Sequence, residues 1–234
     1  MRVRRPQREG GKLSTTTDPI EREKQVAAEA AAQLVEDGML VGLGTGSTAA
    51  YLLPPLAARK LDITCVATSP ATSQAARALG IEVVSFAGLE APTRLDVTID
   101  GADQVDPAGW LVKGGGAAHT REKAVAAAAD RFIVIVSSNK VVDRLTPPIP
   151  LELAEFGLAA TFERVQPARL RDVAHSPDGG VIADYLAGFD DPATLASWLS
   201  EQPGVVEHGL FPASMVAEVL IGRGQEVERR TPSG

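Results

Sequence analysis

Between residues 98 and 122 the chain reads TIDGADQVDPAGWLVKGGGAAHTRE, which sets Asp100, Asp103 and Glu122 around one lysine, Lys113. Carboxylates beside a lysine can divide labour. One removes a proton as general base, another passes protons between oxygens, and the ammonium stabilises an oxyanion as it develops. Such a set suits proton transfer next to a carbonyl. A solvated loop with a surface ion pair explains any one of these residues equally well. Four charges beside a phosphate-type loop are harder to explain that way. Asp106, directly before Pro107, reads as a turn residue.

The phosphate-type loop is VGLGTGSTAA, in which a strand runs into glycines and a helix opens at Ser47 and Thr48. Free backbone N–H groups and the positive end of a helix dipole bind phosphate at such a junction. A dinucleotide GxGxxG would need glycine at position 47, which is serine, and a P-loop would need a Gly-Lys pair, which is missing here. A tight turn with a hydroxyl cap and a phosphate cradle both remain; the hydroxyls of Thr45, Ser47 and Thr48 favour the cradle. TSPATS at 68–73 opens on the same side of the sheet. Lys140, in SSNKVVD after the run RFIVIV, offers a second cation at a strand end, although solvent exposure is the commoner fate of such a lysine.

Elements must bring these loops together. With 234 residues and 44% hydrophobic content, the chain can build one large domain or two small ones. A net charge of −7 argues against nucleic-acid or anionic-membrane partners and for a small molecule. No apolar run approaches the roughly 20 residues needed to cross a bilayer, and the N-terminus lacks a signal-peptide core, so a cytoplasmic protein is expected. Cys65, the single cysteine, reads as a buried inert thiol.

Residues 1–17 carry five Lys or Arg and almost nothing apolar, which predicts a disordered tail, with a transit peptide or nucleic-acid arm as alternatives. DPIEREKQVAAEAAAQLVEDG predicts a helix over about 19–37 from its capping Asp, early Pro and final Gly. Short apolar runs then alternate with helical segments (MLVGLG, DITCVAT, IEVVSF, DVTID and RFIVIVSS), the pattern of a mostly parallel sheet with sites at the strands' carboxyl ends. The proline-rich TPPIPLELAEFG breaks the rhythm. Beyond it come helix, strand, helix and strand, and MVAEVLIG supplies a strand that can return to the first sheet. The expected class is α/β: a Rossmann-like, mostly parallel sheet flanked by helices, with a smaller α+β, ferredoxin-like second domain. Its expected division is a tail over 1–17, a catalytic α/β domain over 18–146 and 212–229, and a small domain over 147–211.

In order and spacing, VGLGTGSTA, TIDGADQVD and LVKGGGAAHTREK, followed by SSNKVVD, PIPLEL, PGVVEHGLF and VLIG, make the chain resemble the A-type ribose-5-phosphate isomerases from about residue 20 to 222. The resemblance implies interconversion of D-ribose 5-phosphate and D-ribulose 5-phosphate in the pentose phosphate pathway, without metal or organic cofactor. It implies that Glu122 is the general base of a cis-enediol route, that Asp100 handles hydroxyl protons, that Asp103 assists ring opening, and that Lys113 steadies the enediolate. Substrate binding falls by the same resemblance to Thr45, Gly46, Ser47, Thr48, Lys140 and Lys24, and to Gly101 and Ala102 of the DGAD turn, with Gly114, Gly115 and Gly116 lining the pocket as room for the sugar. A homodimer or homotetramer is implied as well. The chain departs from the family's pattern at Gln104, where glutamate is common, and at SPDGG, where a TDNGN-like turn is common. His119 stands where the family often has an apolar residue and is read as incidental; His175 and His208 are too scattered to make a metal site. Another sugar-phosphate isomerase, an acyl-CoA transferase with a glutamate nucleophile, and a non-catalytic sugar-phosphate sensor are the competing readings.

Overall fold

The computed structural model describes residues 18–232, so the tail expected over residues 1–17 lies outside the described residues. In chain order, α1 (Pro19–Ala32) is followed by β1 (Leu40–Leu43), α2 (Ser47–Ala50), α3 (Leu53–Ala58), β2 (Thr64–Ala67), α4 (Pro70–Ala78) and β3 (Glu82–Val83). Next come β4 (Leu95–Gly101), β5 (Gln104–Val105), β6 (Leu111–Val112), α5 (His119–Ala127) and β7 (Ala129–Ser137). A smaller unit is built from β8 (Ile149–Leu153), α6 (Leu158–Arg164), β9 (Ala168–Leu170), β10 (Val181–Tyr185), α7 (Pro192–Ser200) and β11 (Val205–His208). The chain closes with β12 (Leu210–Phe211), β13 (Val216–Arg223) and β14 (Glu226–Arg230).

The large sheet runs β14-β13-β7-β4-β1-β2-β3, and every pairing in it is parallel except β13 with β14. Helices on both faces explain why Phe132 to Ser137 of β7 are all buried rather than alternating. On one face α1 packs closely through Ala27, Ala28, Ala31 and Ala32, all fully buried. A side chain at Gly222 would meet the Glu23 carbonyl of α1 at 2.0 Å, so helix and sheet touch backbone to backbone there. From β1 the chain proceeds outward to β2 and β3, then returns to place β4 on the other side of β1. That reversal opens a crevice at the carboxyl ends of β1 and β4, where ligands of such sheets bind.

The small unit follows a β-α-β-β-α-β path with strand order β11-β8-β10-β9 and all-antiparallel pairing, the ferredoxin-like arrangement. A three-stranded sheet, β12-β6-β5, takes β5 and β6 from between β4 and β7 and β12 from between β11 and β13.

Several local expectations need correction. The first helix stops at Ala32 rather than near 37, and Arg59 Nη1 donates to the Ala32 and Val35 carbonyls left at its end. The proline-rich segment contains β8, an interior strand of the small sheet. Pro150 is tolerated there because it lacks only a donor, and its carbonyl accepts Gly209 N–H at 2.7 Å. Strands β9 and β14 were also unanticipated, and IEVVSF yields only the two-residue β3.

Candidate active site

β1 ends by running into Gly44, and β4 ends at Asp100 and Gly101, so the two loops open side by side at the crevice. Thr45, Gly46, Ser47, Thr48, Gly101, Ala102, Asp103, Lys113, Gly114, Gly115, Gly116, Glu122 and Lys140 line one cleft there. Asp100 is buried behind this lining: Oδ1 accepts N–H groups from Thr45 at 3.1 Å and Gly101 at 2.7 Å, and Oδ2 accepts the Lys113 ammonium at 2.9 Å. Lys113 also donates to the Gly101 carbonyl at 2.5 Å. Glu122 Oε2 stands 3.2 Å from Lys113 Nζ, and that ion pair is the contact it makes with the cluster. Lys24, outside the cleft's lining, reaches its loop from α1 by donating to Ser47 Oγ at 3.2 Å.

Asp100, Lys113 and Glu122 are only 1%, 3% and 4% exposed, so their charges interact with little solvent screening. Burial pushes the Glu122 carboxyl up to about 8, against the pull of Lys113 and with the push of Asp100. Burial likewise raises Asp100 above the usual carboxylate range, although Lys113 and two backbone N–H groups draw it down. For Lys113 the order reverses: burial lowers it, but the two carboxylates outweigh burial and hold it above the ordinary lysine value. The ammonium is therefore a fixed positive charge, and Glu122 is the member of the cluster able to exchange a proton near neutral pH.

The glycines have separate reasons. A Cβ at Gly44 would lie 1.9 Å from Asp100 Oδ1, so the close approach of β1's end to the aspartate requires glycine. Gly44→Ala is accordingly expected to cost about 1–3 kcal/mol of stability from overpacking and to displace Asp100 from Lys113. Thermal melts and turnover would show both effects, and unchanged turnover would mean that the Asp100 position is not critical. In the KGGG segment all three glycines line the cleft, and two of them also answer to close protein neighbours. Gly114 has φ +103 and a Cβ there would meet His119 Nδ1 at 2.7 Å, while one at Gly115 would meet the Asp103 carboxylate at 2.8 Å. At Gly116 the nearest atom would be 4.0 Å away, so Gly116 alone opens toward free space.

Asp103 accepts Gly115 N–H at 2.7 Å, and Arg171 from the small unit donates to the Gly114 carbonyl at 2.8 Å, fixing the glycine loop from both sides. Sequence reasoning missed Arg171, since nothing in its local pattern announces a partner 57 residues away. It also passed over Phe211, whose ring centre is 5.5 Å from Lys113 Nζ. Gln104 turns away from the cleft and clips Thr146, donating to its carbonyl and accepting its N–H, each at 2.8 Å. Thr45 Oγ1 lies 2.7 Å from Thr68 Oγ1, which ties the 68–73 loop to the glycine loop. His119 is fully buried, and burial pushes it down to about 3, so it is a neutral ring beside Gly114. Among the described residues no group of three His, Cys, Asp or Glu side chains is placed to hold a metal ion. A larger cavity, about 430 Å³, lies against α4, α5 and residues 83–87; it includes Arg77 and Arg121 but none of the buried carboxylates, so the charged cleft is the better candidate.

Residues 64–226 match the family model described as ribose 5-phosphate isomerase A (phosphoriboisomerase A), and residues 20–98 match that of the DeoR C terminal sensor domain. A ribose-5-phosphate isomerase A of Caulobacter sp. (strain K31) is 44% identical over 225 residues, covering 90% of this chain and 98% of that protein. The crystal structure of ribose 5-phosphate isomerase A from Neisseria gonorrhoeae superimposes with a TM-score of 0.84 at 31% identity, covering 90% of this chain and 96% of that one. A D-ribose-5-phosphate isomerase in complex with phospho-erythronic acid also gives 0.84, at 34% identity, covering 91% of this chain and 99% of the other.

Proposed function

The chain belongs to the ribose 5-phosphate isomerase A family, and from that premise we propose that it interconverts D-ribose 5-phosphate and D-ribulose 5-phosphate through an enediolate, with Glu122 as the base. The observation that carries this reading is the buried Asp100, Lys113 and Glu122 cluster opening onto a hydroxyl-rich glycine loop. The loop at Gly46 to Thr48, with Lys140 and with Lys24 behind Ser47, holds the phosphate. Its charge lies away from the carboxylates, which fixes the direction in which the sugar enters.

In the open-chain aldose, Glu122 removes the C2 proton. The C2–H electrons form the C1–C2 double bond, the C1 carbonyl oxygen takes up negative charge, and Lys113 stabilises it. A proton moves from O2 to O1 with Asp100 as carrier, and Glu122 returns its proton to C1 to give the ketose. Asp103, at the mouth of the cleft and fixed by Gly115 N–H, assists ring opening. A carboxyl held up to about 8 suits this task, because its two protonation states are close in energy near neutral pH. The ligand of the related phospho-erythronic acid complex supports the scheme: it joins a carboxylate to a phosphate, much as an enediolate joins its charge to one. A dimer or tetramer is part of the same reading.

The test is conversion of ribose 5-phosphate in deuterated water, followed by NMR. Ribulose 5-phosphate is the expected product, with deuterium at C1 in the fraction of turnovers in which the Glu122 carboxyl exchanges its proton with solvent before delivering it, and no conversion would exclude the isomerase. Binding without conversion would favour a sensor.

A further inference from the structure

Helix α5 carries Glu122, yet its N-terminal turn has no capping side chain, since Ala118 occupies the cap position. Such a turn leaves backbone N–H groups unpaired and frays readily. Here the turn is held from the side instead. Thr120 Oγ1 donates to Glu152 Oε2 on β8, and Lys123 Nζ donates to Glu207 Oε1 at 2.6 Å and to the His208 carbonyl at 2.7 Å on β11. Glu122 faces the cleft, while the residues on either side of it are fastened to the small sheet.

Glu152 is an unusual anchor. It is 2% exposed and stands in no ion pair among the described residues, although Arg121 is near enough to feel its charge. Its other oxygen accepts Ser176 Oγ at 2.5 Å, and a side chain at Gly180 would come within 2.2 Å of it, so the surrounding backbone is shaped to this carboxylate. Burying an unpaired carboxylate is costly, and an apolar residue would fill β8 at less expense. What the carboxylate adds is a strong acceptor for the Thr120 hydroxyl and a negative charge at the positive end of α5.

We propose that Glu152 is a positioning residue for Glu122, acting through Thr120 to fix the first turn of α5. The proposal rests on Glu122 being the base of the isomerisation. The small sheet is thereby part of the catalytic apparatus, because it sets where the Glu122 carboxyl meets the substrate carbon.

Thr120→Val removes the hydroxyl at nearly constant volume, and Thr120→Ser restores it. With ribose 5-phosphate as substrate, Thr120→Val is expected to lower kcat by ~10–100-fold, the scale of a small misplacement of a reacting group, with KM changed less than about twofold. Thr120→Ser is expected to recover most of that loss. In a Glu122→Gln background the same Thr120→Val change is expected to cause no further loss of the residual activity, because its effect passes through Glu122. Should Thr120→Val fail to fold, Glu152→Gln carries the same comparison. Equal losses in both backgrounds, a change confined to KM, or a kcat within twofold of the parent would overturn the proposal. An inactive parent would instead fail the isomerase reading itself.

Discussion

Glu122→Gln is expected to lower kcat by ~10³-fold or more, the upper range for removing a positioned general base, while the protein still binds phosphate-bearing ligands and melts at a higher temperature. The three effects share one cause. The carboxyl is buried near a second carboxylate, which makes its ionised form a stronger base than an ordinary glutamate and also makes that form costly to bury. Its folded value, about 8, lies above the ordinary 4.5, so folding favours the protonated form. The stability associated with this group is therefore fully present below pH 4.5 and is lost as pH rises through 8. Across that window the parent loses up to about 1.4 kcal/mol per pH unit relative to the glutamine variant. The two should melt together near pH 4 to 5, and the variant should gain steadily up to about pH 8. Melting curves across pH, run beside turnover, check both halves. Near-normal turnover would remove Glu122 from the base role. A melting advantage that shrank with rising pH would show that its carboxyl is not held high.

The same electrostatics bear on the rate. With Glu122 required as carboxylate, log kcat/KM of the free enzyme should climb with unit slope on the acid side and level off as Glu122 ionises, well above the pH at which an ordinary glutamate would have titrated. A profile flat down to pH 5 would contradict that assignment.

The parts of the fold that read clearly from sequence are those whose signal is local. β1, β2, β4 and β7 are apolar runs ending in glycines or hydroxyls, and a parallel sheet buried on both faces produces such runs. β8 was illegible because proline is a local signal for a break, whereas its tolerance at 150 depends on what the neighbouring strands ask of that backbone position. β9 and β14 are largely exposed and polar, so neither has an apolar face to reveal it. At the cleft, spacing along the chain suggested that Asp100, Lys113 and Glu122 meet, and the structure brings them within 3.2 Å of the shared ammonium. Spacing carries no measure of burial, and burial decides their protonation. Thr120 illustrates the other limit. A threonine opening a helical run is the usual sign of a cap, but Thr120 is the second residue of α5 and its hydroxyl is spent on Glu152, a partner 32 residues later.

Removing Lys113 should do the most damage to the fold. In Lys113→Met the apolar stem is kept and the ammonium is lost, leaving Asp100 and Glu122 buried together without a counter-charge. Breaking a buried ion pair in this way costs about 3–5 kcal/mol, which for a domain of this size lowers the melting temperature by roughly 6–20 °C. The carboxylates can relieve part of the cost by taking up protons, as each is already raised by burial. The variant should therefore be least stable above pH 8 and recover toward the parent as pH falls, the behaviour expected when charged carboxylates are the source of the strain. Turnover should fall by ~10²–10³-fold, the scale of one lost oxyanion donor, and acidification should not restore it, because protonating Glu122 removes the base. Recovery of stability without recovery of rate separates the two roles of the ammonium: it holds two carboxylates in the fold, and it holds the negative charge of the intermediate. If Lys113→Met melted like the parent at every pH, the cluster would be hydrated rather than dry, and the raised Glu122 carboxyl on which the proton-transfer scheme depends would lose its physical cause.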